Sequence, residues 1–237
     1  MPSGASIPLR VLFLRNTRDD YLAFTWWHFA FGLLITWLVG MGRYWDNPRV
    51  ETVQRLGGGS FAYVFILALL LFAVGLPFRD KNWTYPRVLT MVVLSSPPAA
   101  IYALPVEKLF DFETARSFNT LFFGLVALWR MLIWGRFVFL MCPTSTPGRI
   151  SVIFLPVTAI LVVLAVLNLE QAVADLMSGL QPAPNGTTAD RAYIWLIMLT
   201  ALDVYLVFPV ISITYIVAWI IHARKKRTAV HPPAPAV

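Results

Sequence analysis

The chain has 237 residues, 58% of them hydrophobic and only 13% charged, with a mean hydropathy of +0.69. A soluble domain carries about 25% charged residues, so lipid is the main solvent expected here. Lys and Arg outnumber Asp and Glu by 19 to 12, giving a net charge of +7. That excess lies between and beyond apolar runs, as in a chain oriented across a membrane, and not in a basic patch with exposed aromatics, so nucleic acid is not an expected partner.

Cys142 is the single cysteine, which rules out an intramolecular disulfide and a cysteine metal cluster. The three histidines, His28, His222 and His231, are too scattered for a metal site. No metal or cofactor is expected. The apolar stretch from Ile7 to Leu14 is interrupted by Pro8 and Arg10 and lacks a small-residue cleavage site, so the first span is expected to act as its own insertion signal.

Residues 1–20 form a short basic segment with Arg10, Arg15 and Arg18, partly offset by Asp19 and Asp20. Two readings stand side by side: a surface-lying segment whose arginines reach lipid headgroups, and a disordered tail. The first span is expected over 21–41. It holds His28, read as a hydrogen-bonded packing residue in preference to a proton relay. Tyr44 and Trp45 suit the membrane interface, and Arg43 and Asp46 are spaced to pair.

Gly57-Gly-Gly-Ser60 lacks the Lys-Ser/Thr and strand context of a phosphate-binding loop and reads as a hinge. The second span, 61–78, is the plainest. The third, 88–104, contains Ser95-Ser96-Pro97-Pro98. Two prolines remove helical donors and clash with the preceding turn, so a kink or break is expected, read as packing in preference to a substrate site. The fourth span, 117–141, carries Arg130 near its middle and Arg136 nearer its end. Asn119 and Arg130, eleven residues apart, share a face, whereas Arg136 can extend toward headgroups.

The fifth span is expected over 150–169, with Pro156 near its start, and the sixth over 192–221, holding Asp203 and Pro209. The sixth is longer than the ~30 Å core requires, so it should tilt, bend at Pro209 or project. The glycosylation triplets Asn82-Trp-Thr84 and Asn185-Gly-Thr187 are frequent by chance. Residues 223–237 are a basic stop, Arg224 to Arg227, then a Pro/Ala tail expected to be disordered.

With both termini cytoplasmic, the inside holds Arg10, Arg15, Arg18, Arg79, Lys81, Arg87, Arg149 and the four residues Arg224 to Arg227. The outside holds Arg43, Arg49, Arg55, Lys108, Arg116 and Arg191, so that eleven cations face six, the sign the positive-inside rule requires. The expected fold is therefore all-α: a polytopic six-helix transmembrane bundle with both termini in the cytoplasm. In this topology spans four and six run parallel, placing Arg130 about 20 Å and Asp203 about 16 Å into their helices. An intramembrane Arg130–Asp203 pair is expected, in the first place as a pin of helix register and in the second as a substrate or proton site.

Thr84-Tyr-Pro-Arg-Val-Leu before the Ser-Pro-Pro break, Leu128-Trp-Arg with Trp134-Gly, and Ser145-Thr-Pro-Gly-Arg-Ile-Ser-Val with Pro156 together resemble the Yip1-type integral membrane proteins over about residues 57–169. That resemblance implies a five-span core, a cytosolic N-terminus and a non-catalytic role, which in eukaryotic members serves vesicle trafficking with small GTPases. Arg130 and a sixth span depart from it.

Short loops and the absence of a nucleophile–base set point away from an enzyme, and no metalloprotease, nucleophile-elbow or paired-aspartate motif lies in the spans. The expected function is a non-catalytic integral membrane protein, a scaffold or partner-binding protein of a bacterial inner membrane. Its partners would be the lipid bilayer and a protein partner or second copy. The alternative is a small transporter or channel subunit using Arg130, Asp203, Asn119, Ser95, Ser96 and the helix broken at Pro97-Pro98.

Overall fold

The structure, a computed structural model, describes residues 6–42, 52–169 and 189–230. Every regular element among them is helical. The segment before the first span is folded from residue 6 onward, so it is not a disordered tail. α1 (Ile7–Leu12) begins with Pro8 in its first turn and buries Ile7 and Val11. It ends in a Schellman turn: Arg15 N–H donates to Arg10 O at 2.8 Å and Leu14 N–H to Val11 O at 3.2 Å. Leu14 takes the left-handed conformation (φ 58°) that such a turn needs and that glycine normally supplies. α2 (Arg18–Leu22) starts from a capping box between Thr17 and Asp20, which satisfies donors the helix start leaves free.

α3 (Trp26–Gly42) buries His28, Gly32, Thr36 and Gly40, a stripe with four-residue spacing. The two glycines permit close approach. A methyl at Gly32 would sit 2.6 Å from Val93 Cγ2, and one at Gly40 would sit 2.7 Å from Ser60 Oγ. α4 (Thr52–Arg55) leads into α5 (Gly58–Gly75), and Gly57 makes the join in the left-handed region at φ 75°. The glycine run is thus an ordered turn. A 3₁₀ turn, Leu76–Phe78, closes that span.

The third expected span breaks where its prolines predict: α6 (Tyr85–Leu94) stops, and a 3₁₀ segment, Pro97–Ala103, continues after it. α7 (Val106–Leu109) precedes α8 (Phe112–Met141), one uninterrupted helix whose N-cap, Asp111, accepts from Thr114 N at 3.1 Å. α9 (Thr146–Val166) keeps Pro156 inside it. The last span is α10 (Ala189–Leu202), a π turn at Asp203–Val207, and α11 (Phe208–Val230). Pro209 cannot donate to the preceding turn, and the widened π turn just before it absorbs that loss. The basic residues 224–227 continue α11, which reaches Val230; the remaining Pro/Ala residues, the loop from Glu170 with Asn185, and Arg43 to Asp46 lie outside the described residues.

Four helical stretches are long and apolar enough to cross a bilayer: Gly58–Phe78, Ser117–Met141, Thr146–Val166 and Leu196–Lys226. The other two expected spans correspond to shorter apolar helices, Trp26–Gly42 and Tyr85–Leu94. The packed core gathers at one end of the bundle. There Tyr21, Phe78, Trp83, Trp134, Phe137 and Met141 are buried together, with Tyr21 edge-on to Phe137 at 4.8 Å and Trp134 stacked on Phe137 at 5.9 Å. α11 returns to this end: Tyr215 donates to Val74 O at 2.7 Å, and Phe78 meets His222 at 5.7 Å between ring centroids. The chain's first and last described helices therefore share one end of the molecule.

Candidate functional site

The intramembrane polar residues singled out in the sequence do not converge. Neither Arg130 nor Asp203 joins an ion pair among the described residues, and Arg130 Nε and Asp203 Oδ2 are buried without a hydrogen-bond partner. The expected pair is not formed. Asp203 sits in the π turn, whose main neighbours are α9, α10 and α11, and α9 is also the long helix packed on α8. α8, which carries Arg130, is not among the main neighbours of that turn. Similar depth does not make two side chains neighbours. Asn119 lies eleven residues from Arg130 on the continuous α8, about 16 Å along the axis, too far to join it directly.

Ser95 and Ser96 serve the helix break. Ser95 donates to Val92 O at 2.7 Å, Thr36 donates to Gly32 O at 2.8 Å, and the Thr36 and Ser96 hydroxyls are hydrogen-bonded to each other at 2.8 Å. Val93 O, which would accept from residue 97 in a continuous helix, receives Ser96 N–H at 3.2 Å instead.

The densest polar arrangement lies instead beneath the N-terminal segment. Asp20 is 4% exposed and fully engaged. One carboxylate oxygen meets Arg10 at 2.7 Å; the other accepts from Thr17 N at 2.8 Å and from the Thr17 hydroxyl at 3.2 Å. The carbonyls of the α1–α2 turn are gripped by α8. Trp129 Nε1 donates to Leu12 O at 3.0 Å, and Arg136 donates through Nε and Nη2 to Asn16 O at 3.2 and 2.7 Å. Residues seven apart lie on one helix face, two turns apart, so Trp129 and Arg136 act as a two-point clamp. Arg136 stays exposed while also holding the backbone.

Arg18 completes the docking by pairing with Asp80 at 3.0 Å, and Asp80 also accepts from the amides of Asn82 and Trp83. Burial pushes the Tyr21 phenol above its ordinary value, against the opposing influence of the Asn16 side chain and the Arg136 charge. Arg136→Gln removes a charged donor from a buried carbonyl and is expected to cost about 1–2 kcal/mol, measurable as a lowered thermal midpoint in detergent.

Asn16, Asp20 and Tyr21 escape sequence reasoning because the clamp's acceptors are main-chain carbonyls, which carry no residue signature. Two signals were present: the Thr17-x-x-Asp20 capping pattern and the seven-residue spacing of Trp129 and Arg136. Cys142, after α8, is buried, and burial pushes its thiol up to about 12 despite the opposing charge of Arg149. The thiolate is the reactive form, so Cys142 should resist maleimide at pH 8 in the folded protein and react once denatured.

No group of three or more His, Cys, Asp or Glu that could hold a metal ion occurs among the described residues. An all-helical chain with four helices of spanning length and apolarity belongs to the integral membrane proteins. No family model matches it, and no curated protein and no solved structure is found to be similar to it.

Proposed function

We propose that the protein is a non-catalytic integral membrane scaffold or partner-binding protein, crossing the membrane six times with both termini in the cytoplasm, in a bacterial inner membrane. One observation carries this reading: five hydroxyls on or beside the apolar helices are engaged in packing contacts. Thr36, Ser95, Ser96, Thr90 and Tyr215 all bond to neighbouring backbone or to one another, and the two intramembrane charges stand apart. Six crossings are geometrically open. α3, at 17 residues, is about 26 Å long, and the 10 residues of α6 with the 7-residue 3₁₀ segment span about 29 Å, close to the ~30 Å core. The resemblance of residues 57–169 to Yip1-type proteins is in keeping with a scaffold.

A second reading, a small transporter or channel subunit, rests on Asp203: a buried carboxylate with one unpartnered oxygen on a π turn, a geometry frequent at functional sites. A double-mutant cycle separates the two. In a scaffold, Arg130→Gln and Asp203→Asn should be additive in stability to within about 0.5 kcal/mol. A coupling above 1 kcal/mol would revive a shared site. Reporter fusions after residues 82, 112, 147 and 230 test the sidedness.

A further inference from the structure

α3 leans on its neighbours unevenly. Its far half closes onto α5 and α6 through Gly32, Thr36 and Gly40, where added methyl groups would collide with Val93 and Ser60. Its near half carries Trp26, Phe29 and Leu33 and stands off. The result is a wedge of about 590 Å³ walled by Phe29, Leu33, Phe65 and Leu89, with Tyr85 and Arg87 on its rim. That volume lies within the ~300–1,000 Å³ usual for ligand pockets, which are mostly apolar with a few placed polar groups.

The rim marks the depth. Trp26 and Trp27 are 71% and 79% exposed, as tryptophans at a membrane interface are. Arg87 donates to Asn82 O at 2.8 Å, which braces its guanidinium, and no carboxylate pairs with it among the described residues. A guanidinium has five donors, so the rest are available to an anion. An apolar slot with an uncompensated cation at its interfacial mouth complements one class of molecule, an anionic amphiphile whose chain fills the slot and whose phosphate meets the arginine.

We propose that this wedge is a binding site for an anionic phospholipid, with one acyl chain between α3, α5 and α6 and the headgroup phosphate on Arg87. The site stands independently of the scaffold reading. It is tested on the full chain in detergent by native mass spectrometry and thermal-shift titration, with phosphatidylglycerol and phosphatidylcholine of matched chains. Phosphatidylglycerol should bind about tenfold tighter or more, the size expected of a hydrogen-bonded charge pair. Arg87→Gln should abolish that preference and Arg87→Lys should keep part of it, while Leu33→Trp, which fills the wedge, should weaken both lipids. Equal affinities in the unaltered protein, or a preference that survives Arg87→Gln, would overturn the proposal. If Arg87→Gln does not fold, undiminished phosphatidylglycerol binding by Leu33→Trp overturns it equally. Glycerol phosphate without chains should not stabilise the protein; stabilisation equal to that by the lipid would also count against the site.

Discussion

Gly75→Ala is expected to lower stability by about 2–3 kcal/mol, the range for overpacking a rigid core. Gly75 ends α5, and the indole of Trp83 lies directly on it, so an added methyl would fall inside the indole carbons. The ring has no easy retreat. Trp83 is 3% exposed, donates Nε1 to Phe72 O at 3.2 Å, and packs against Trp134 and Phe137 at 6.0 and 5.4 Å. Displacing it would open the junction where α5, α6 and α8 meet. Thermal unfolding in detergent reads the loss. Gly124→Ala is the control: nothing stands near a methyl placed there, and alanine favours a helix by up to about 1 kcal/mol over glycine.

Asp20→Ala is expected to cost about 3 kcal/mol and to release the N-terminal segment from the bundle. The change removes the capping-box acceptor of Thr17 N–H and strands Arg10, whose side chain is 28% exposed, without its partner at 2.7 Å. Breaking a buried pair by deleting one member costs about 3–5 kcal/mol, and the partial exposure of Arg10 places this case at the low end. Limited trypsinolysis reads it directly. Cleavage at Arg15 and Arg18 should accelerate strongly in Asp20→Ala and less in Asp20→Asn, with later sites unchanged. Equal cleavage rates in all three proteins would mean that the capping box and ion pair do not hold the segment.

The four helices of spanning length were legible because each is an apolar run bounded by charge, and the helix before Ser95-Ser96-Pro97-Pro98 stopped there because proline's missing donor acts wherever it stands. The irregular turn just before Pro209 was readable for the same reason. The folded N-terminal segment was less so. Its amphipathic pattern suits a lipid surface and a protein surface equally, and only the seven-residue spacing of Trp129 and Arg136 hinted at a clamp. The Arg130–Asp203 pair failed for a further reason: sequence and topology give depth along a helix, whereas contact also needs azimuth and neighbour order. Here the π turn packs mainly on α9, α10 and α11, and α8 is not among those neighbours. Ser95 and Ser96 stood out in the sequence as candidate site residues, and their partners in the structure are Val92 O and Thr36.

The central claim, that the helices around Arg130 and Asp203 meet lipid and dry packing instead of water, is open to one direct measurement. In a chain carrying Cys142→Ala, single cysteines at Ala127, Thr200 and Val207 are probed with a membrane-impermeant maleimide from both sides of the membrane, with Ser145→Cys in the exposed α8–α9 turn as the reactive standard. All three should remain unlabelled until the protein is denatured, while the standard reacts. Labelling at any of the three in the folded protein would reveal a solvated path at the depth of the two charges and contradict the scaffold account.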